Sequence, residues 1–131
     1  MTAMPSAPSA VREYEVRAHS TDTFGRVLAS ARTHHFVVDG PVQNGCPGEE
    51  VTPPELFLSG VASCGVELLH VIAREQGVPL ERVAVRIRGT VDRGNQPRAD
   101  VTLFTAVRLD FELRGASGAQ AAALVEGFKR R

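Results

Sequence analysis

The chain has 131 residues, enough for one domain with a modest hydrophobic core. Apolar residues make up 43% of it and charged residues 23%, and 15 basic side chains balance 15 acidic ones. This charge balance, with one Tyr and no Trp to stack on bases, argues against nucleic-acid binding. We therefore expect no nucleic-acid partner.

The opening residues, MTAMPSAPSA, lack the basic and apolar regions of a secretory signal. Their Pro, Ser and Ala content predicts a disordered leader over residues 1–10. Serines, a glutamate and a histidine interrupt the most apolar stretch, so we predict no membrane span and no membrane partner. A cytoplasmic protein is expected, in which Cys46 and Cys64 begin as thiols.

The first part of the chain has the pattern of three short strands and a loop. Residues 11–18, VREYEVRA, alternate in the manner of a strand. The sequences GRVLAS and ARTHHFVVDG, residues 25–40, predict a second and a third strand. Residues 41–51, PVQNGCPGEEV, are too rich in Gly and Pro for regular structure, and we expect a loop there.

A long apolar helix is predicted to follow this loop. Thr52 is suited to the N-cap, Pro53 to the first helical position, and Glu55 completes a T-x-x-E capping box. Gly77 is suited to end the helix. Its roughly 24 residues at 1.5 Å each would form a rod of about 36 Å. Because one small sheet cannot cover a rod that is apolar on nearly every side, we expect a partner subunit to cover the rest.

Two strands and a helix are predicted for the remainder of the chain. Residues 81–91 alternate strictly, with Val91 among the inward positions, and residues 101–113 form a second alternating run. Ser117 and Gln120 offer a capping box for the last helix. The order of elements predicts a single α+β domain over residues 11–131.

Cys64, near the middle of the long helix, has two interpretations. Cysteine is often a buried small hydrophobe, and position alone favours that structural role. A reactive Cys64 needs a cation brought by the fold, because it lies too far from the helix start for the dipole to stabilise a thiolate. Glu67, one turn further on, would oppose ionisation.

Other motifs are weak. The histidines and cysteines do not have the spacing of a zinc site, and no glycine-rich nucleotide loop is present, so no metal or cofactor is expected. A Cys–His hydrolase pair lacks any identifiable third group to orient the histidine.

The segment PELFLSGVASCGVELL, followed by GVPLERVAVRIRG, resembles the OsmC/Ohr family of thiol-dependent peroxidases. The resemblance extends over roughly residues 11–131. It implies an α+β fold in which antiparallel sheets wrap around a long central helix, in an intertwined homodimer. It also implies reduction of organic hydroperoxides through a cysteine sulfenic acid, a role in oxidative-stress defence, and a dithiol reductant as a second partner.

The resemblance implies that Cys64 is the peroxidatic cysteine, with an Arg and a Glu holding its thiolate. Glu55 is the candidate carboxylate, although Pro54 stands where the best-characterised branches have theirs. Arg26, after Gly25, is the candidate cation, with Arg32 as the alternative.

The resemblance also calls for a resolving cysteine near the C-terminus, and this sequence has none there. Three explanations stay open: a longer natural chain, substitution by Cys46, or an external thiol. The departures at Pro54 and at the resolving position leave an alternative function. The protein would then be a non-catalytic dimer of the same fold that binds a hydrophobic small molecule.

Overall fold

The computed structural model describes residues 10–131, so the leader predicted for residues 1–10 lies outside it except for Ala10. Its elements, in chain order, are β1 Arg17–Ser20, β2 Arg26–Ala31, β3 His34–Asp39, a short 3-10 helix Val42–Asn44, α1 Pro53–Gln76, β4 Arg82–Thr90, β5 Ala106–Arg114 and α2 Gly118–Lys129. The combination of two α-helices with antiparallel sheets confirms the predicted α+β class. The chain forms two compact units, divided between Pro53 and Pro54. The predicted single domain stays a prediction.

The N-terminal unit is built on a three-stranded antiparallel sheet in the order β1-β2-β3. A two-residue turn, Arg32-Thr33, joins β2 to β3, and Arg32 adopts a left-handed backbone with φ of 53°. At the far end of this hairpin Arg26 lies directly opposite Asp39. The two predicted strands of this hairpin are confirmed.

The first strand is shorter than predicted. β1 begins at Arg17, which pairs with Ser30, and β2 ends one residue later at Ala31. Residues 11–15 therefore extend past the end of β2, and the described chain adds no strand to residues 11–16. Their alternating apolar side chains are exposed, Tyr14 by 88%.

The C-terminal unit packs the β4–β5 hairpin against the C-terminal half of α1 and against α2. Its core consists of Leu69, Ile72, Ala73 and Leu124. Phe111 of β5 and Phe128 of α2 meet edge to face, with ring centroids 5.7 Å apart. The predicted Ser117–Gln120 capping box is present and starts α2. Half-buried and exposed residues alternate along β4, as predicted.

The connection between β4 and β5 is longer than the sequence pattern indicates. The predicted strand over residues 101–113 begins only at Ala106, because Thr90, its pairing partner, ends β4. Before that point the Gln96 side chain takes the place of a neighbouring strand. Its amide oxygen accepts from the Leu103 N–H at 2.7 Å, and its amide nitrogen donates to the Leu103 carbonyl at 3.1 Å. Val91, expected inward, is 45% exposed.

Helix α1 has the predicted bounds. It ends at Gln76, and Gly77 follows in the left-handed conformation with φ of 68°. The Val78 N–H donates to the Ala73 carbonyl at 2.8 Å, which closes the helix end in the Schellman pattern. α1 is long and apolar enough to cross a membrane by length and composition alone, and 22% of its most apolar window is buried in the chain.

Candidate functional site

Cys64 lies on a side of α1 that its own chain leaves uncovered. The buried helix positions, such as Leu69 and Ile72, lie on the side that packs on the β4–β5 hairpin and α2. Cys64 is exposed, so the interpretation of this thiol as a buried packing residue does not hold within the single chain.

Apolar residues recur around Cys64 at alternating spacings of four and three. These spacings place them in one line along the helix. We call this line the Cys64 stripe; its members are Phe57, Val61, Cys64, Leu68 and Val71. An apolar line of this kind is typical of a surface that packs against another helix or sheet, and the thiol occupies its centre.

The residues next to Cys64 on α1 include small and polar ones. At Gly60, one turn earlier, no atom outside the nearby backbone of α1 and the two adjacent residues lies within 4 Å of the position that a Cβ would occupy. The Ser63 hydroxyl donates its hydrogen to the Ser59 carbonyl at 2.8 Å. Glu67, one turn later, is exposed and places a carboxylate near the same surface.

Glu55 lies on the other side of α1 from Cys64. Nine residues separate them, which corresponds to two and a half turns and about 13.5 Å along the axis. A half-turn offset points the two side chains in opposite directions. Within one chain this helix therefore does not bring the carboxylate to the thiol.

An aromatic pair lies beside the N-terminal end of the Cys64 stripe. The rings of Phe57 and Phe104 stack with centroids 5.6 Å apart and an interplanar angle of 20°. Gly89 of β4 makes room for them, since a Cβ there would meet the Phe104 ring at 2.5 Å. Phe57 remains 57% exposed, so the pair presents an apolar surface.

Arg26 forms an ion pair with Asp39, a residue that the sequence analysis did not identify as part of the site. Its Nε donates to Asp39 Oδ1 at 2.8 Å and its Nη2 to Asp39 Oδ2 at 2.9 Å. Asp39 is completely buried, whereas the Arg26 side chain is 28% exposed. Glu49 adds a weaker contact, with its Oε1 3.5 Å from Nη2.

The Asp39 carboxylate also secures the loop that leads to α1. Its Oδ2 accepts from the backbone N–H groups of Glu49 and Glu50, each at 3.0 Å. The Arg26 hydrogen bonds, helped by these two backbone donors, hold the Asp39 pKa well below its usual range despite burial. The bond to Asp39 raises the Arg26 pKa in turn.

Cys46 is half-buried in the same loop and packs against two glycines. A Cβ on either Gly25 or Gly40 would collide with its side chain. The Gly40 N–H also donates to the Gly25 carbonyl at 2.8 Å, which brings the two backbone segments together. Cys46 therefore fills a small space that the glycines create, a packing role that competes with its candidate role as resolving cysteine.

Arg32 is placed differently from Arg26. It lies in the exposed β2–β3 turn, and none of the described acidic side chains comes within salt-bridge distance of it. The structure thus distinguishes the two candidate cations: Arg26 is held by a carboxylate, and Arg32 is exposed at a turn.

The structure also adds Asp39, Phe104 and Gly89 to the residues identified from sequence. Only the strand register could have revealed Asp39, because sequence shows it merely as a strand end before Gly40 and Pro41.

Among residues 10–131 no group of three or more His, Cys, Asp and Glu side chains is arranged to hold a metal ion.

Comparison with known proteins defines the class of this chain. The profile of the family described as OsmC-like protein matches residues 46–131, more than half of the sequence. The chain belongs to the OsmC-like family, which confirms the resemblance seen in its sequence. Among curated proteins, none matches it by sequence.

Solved structures share its fold at low sequence identity. An OsmC-like protein from Mycoplasma pneumoniae has a TM-score of 0.77 at 15% identity, covering 92% of this chain and 82% of that one. An organic hydroperoxide resistance protein from Legionella pneumophila has a TM-score of 0.71 at 22% identity, with coverages of 93% and 85%. One from Elizabethkingia anophelis, with thiocyanate bound, has a TM-score of 0.74 at 15% identity, with coverages of 94% and 85%.

The depressed pKa of Asp39 predicts how stability depends on pH. The unfolded chain binds a proton at this carboxylate near the ordinary value of about 3.9, whereas the folded chain does so only at lower pH. The stabilisation is therefore complete above about pH 4 and is lost as the pH falls further. We expect Asp39→Asn to lower the free energy of unfolding at pH 7 and to lower it less at pH 3, measured by urea denaturation.

Asp110→Asn is the matched control, because Asp110 pairs with Arg88 and Arg108 on an exposed strand face. It should change stability little at either pH. An Asp39→Asn variant with the same loss at both pH values would contradict the assigned pKa direction.

Proposed function

We propose that this protein is a thiol-dependent peroxidase that reduces organic hydroperoxides through a sulfenic acid on Cys64. The observation that carries the proposal is the position of Cys64, an exposed thiol at the centre of an apolar stripe in a chain of the OsmC-like family. Two similar structures are named organic hydroperoxide resistance proteins. An apolar surface beside a thiol suits a substrate that carries an alkyl or aryl group.

The proposed reaction begins with the Cys64 thiolate. Its sulfur attacks the peroxide oxygen that carries the hydrogen, an S–O bond forms, and the O–O bond breaks. The leaving alkoxide takes a proton and departs as an alcohol, so the hydroperoxide is reduced and the thiol is oxidised to Cys–SOH. This is the reversible step of cysteine oxidation, and a thiol can return it to the starting state.

A dithiol reductant completes the proposed cycle. Its first thiol condenses with the sulfenic acid, releasing water and forming a mixed disulfide. Its second thiol attacks that disulfide and releases Cys64 as the thiolate, leaving the reductant as an internal disulfide. Direct reduction of this kind needs no second cysteine in the protein, which suits the packed position of Cys46. A cytoplasmic location would supply such reductants.

The proposed catalytic assembly is a homodimer in which the sheets of both subunits enclose the two α1 helices. The Cys64 stripe supports it, because Phe57 and Cys64 are exposed, its other members are only half-buried, and exposed apolar surface along a helix favours association. The opposite directions of Glu55 and Cys64 support it as well, since a carboxylate from the partner subunit could reach the thiol. Arg26 is proposed as the cation that stabilises the thiolate.

Cys64 is the thiol on which turnover should depend. We expect Cys64→Ser to abolish consumption of cumene hydroperoxide in the presence of dithiothreitol, because serine cannot supply a thiolate. Cys46→Ser is the matched control and should retain most of the activity. Titration of thiolate absorbance in the two variants should show that Cys64 ionises at the lower pH. If only Cys46 is ionised near neutral pH, the proposed nucleophile is wrong.

The dimer can be tested on the Cys64 stripe. We expect the wild type to sediment as a dimer at micromolar concentration. Phe57→Glu should weaken association by about tenfold or more, since a buried unpaired charge costs well over the 1.4 kcal/mol that corresponds to a factor of ten. Arg86→Glu, on the exposed face of β4, is the control and should remain dimeric. A folded wild-type monomer at that concentration would overturn the architecture.

Arg26 and Arg32 can be separated by conservative variants. Lysine keeps the charge but loses the planar fork of donors that can bridge a carboxylate and a thiolate. We expect Arg26→Lys to slow oxidation of Cys64 by cumene hydroperoxide about tenfold or more, a loss of about 1.4 kcal/mol of transition-state stabilisation. Arg32→Lys should slow it less. The reverse ranking, measured by stopped-flow oxidation, would transfer the role to Arg32.

The second candidate is a dimer that binds a hydrophobic small molecule without turnover. The exposed Phe57–Phe104 pair favours it, because aromatic surface of this kind suits an apolar ligand. Pro54, at the position where the best-characterised branches carry their glutamate, also favours it. Wild-type protein that consumes no hydroperoxide with dithiothreitol, yet binds a hydrophobic dye in a way that Phe57→Glu weakens, would support this second function.

A further inference from the structure

We propose that Asp39 is a positioning residue for the proposed peroxidase, which holds the Arg26 guanidinium in the one orientation that allows it to stabilise the Cys64 thiolate. The inference rests on the proposed function, in which Arg26 supplies the cation. Asp39 itself would not touch the substrate or the sulfur. Its effect would be exerted through Arg26.

The contact between the two side chains fixes the plane of the guanidinium. Arg26 and Asp39 are direct partners across β2 and β3, so the strand register sets their separation. Two hydrogen bonds, Nε to Oδ1 at 2.8 Å and Nη2 to Oδ2 at 2.9 Å, then engage both carboxylate oxygens. A two-point contact of this kind stops rotation of the guanidinium, whereas a single bond would leave it free to swing. These bonds use the Nε–Nη2 edge of the guanidinium and do not involve Nη1.

The carboxylate is itself held in place. Asp39 has no exposed surface, and its Oδ2 also accepts the N–H groups of Glu49 and Glu50, both at 3.0 Å. Rotation of the carboxylate would break these two bonds and leave backbone donors unpaired in a buried position, which is costly. The side chain that holds Arg26 is therefore rigid.

The backbone of Arg26 is fixed from both sides. Its N–H donates to the Thr23 carbonyl at 3.0 Å. Its carbonyl accepts from the Thr21 hydroxyl at 2.9 Å and from the Thr21 N–H at 3.3 Å. Hydrogen bonds thus hold both the backbone and the guanidinium of Arg26, which an ordinary surface ion pair does not require. Arg32, in the exposed turn, has no comparable support among the described acidic side chains.

Positioning and charge have opposite effects, and this separates the two roles in an experiment. The negative charge of Asp39, like that of Glu49, partly cancels the Arg26 charge, so removing it should favour any nearby thiolate. Loss of orientation should disfavour that thiolate, because Arg26 would spend less time pointing at it. The direction of the change in Cys64 ionisation therefore shows which effect dominates.

The experiment uses Asp39→Asn in the full chain with Cys46→Ser, so that Cys64 is the single thiol. We expect Cys64 to ionise at a higher pH, by thiolate absorbance, and to react with cumene hydroperoxide about tenfold more slowly. Combining Asp39→Asn with Arg26→Lys should add little further loss, because both changes remove one interaction. Asp110→Asn, an aspartate that also pairs with arginines, should change neither reading.

In a folded Asp39→Asn variant, Cys64 that ionises at the same or a lower pH than in the wild type and reacts at the wild-type rate would overturn the positioning role. The proposed peroxidase function would be unaffected by that result. If the wild type shows no Cys64-dependent consumption of hydroperoxide, the proposed function fails and the positioning role with it. If Asp39→Asn does not fold, NMR of the wild type decides. The Arg26 Nε–H should exchange with solvent more slowly than that of Arg32, and equal exchange would overturn the proposal.

Discussion

The rest of this molecule depends on the need to cover helix α1. A helix of 24 residues that is apolar on nearly every side has to be shielded from water, and its own chain shields mainly the side that carries Leu69 and Ile72. On the other side, Phe57 and Cys64 of the Cys64 stripe are exposed, and its remaining members are only half-buried. The same constraint accounts for the apolar surface at Phe57, and the thiol lies on the face that the proposed second subunit would enclose.

A second constraint acts in the N-terminal unit, where a buried charge has to be satisfied. Asp39 lies in the interior only because Arg26 and two backbone N–H groups compensate it. These bonds join the β2–β3 hairpin to the loop that continues into α1. Gly25 and Gly40 allow Cys46 to close the same region. The cluster therefore gives order to a Gly- and Pro-rich segment that would otherwise have little reason to adopt one conformation.

The two constraints suit the proposed chemistry in complementary ways. A peroxidatic thiol needs apolar surroundings that admit an organic substrate, and the Cys64 stripe offers them. It also needs a cation that keeps its position. A mobile Arg side chain would lose conformational entropy on becoming ordered beside the thiolate, and this loss would weaken its effect. A guanidinium already held by a buried carboxylate has lost that freedom on folding, so little further ordering is needed when the thiolate forms.

Local sequence determined the elements that depend on near neighbours. The bounds of α1, its Gly77 ending, the Ser117–Gln120 cap and the alternation of β4 all follow from spacing along the chain. The helix motif also singled out Cys64 as the candidate thiol, which stays a prediction. Only the tertiary structure decided where β1 and β5 begin, because a strand forms only beside a neighbouring strand, and β2 ends at Ala31 while β4 ends at Thr90. The roles of Asp39, Gln96 and Gly89 likewise arise from contacts between segments distant in sequence, which spacing along one chain does not encode.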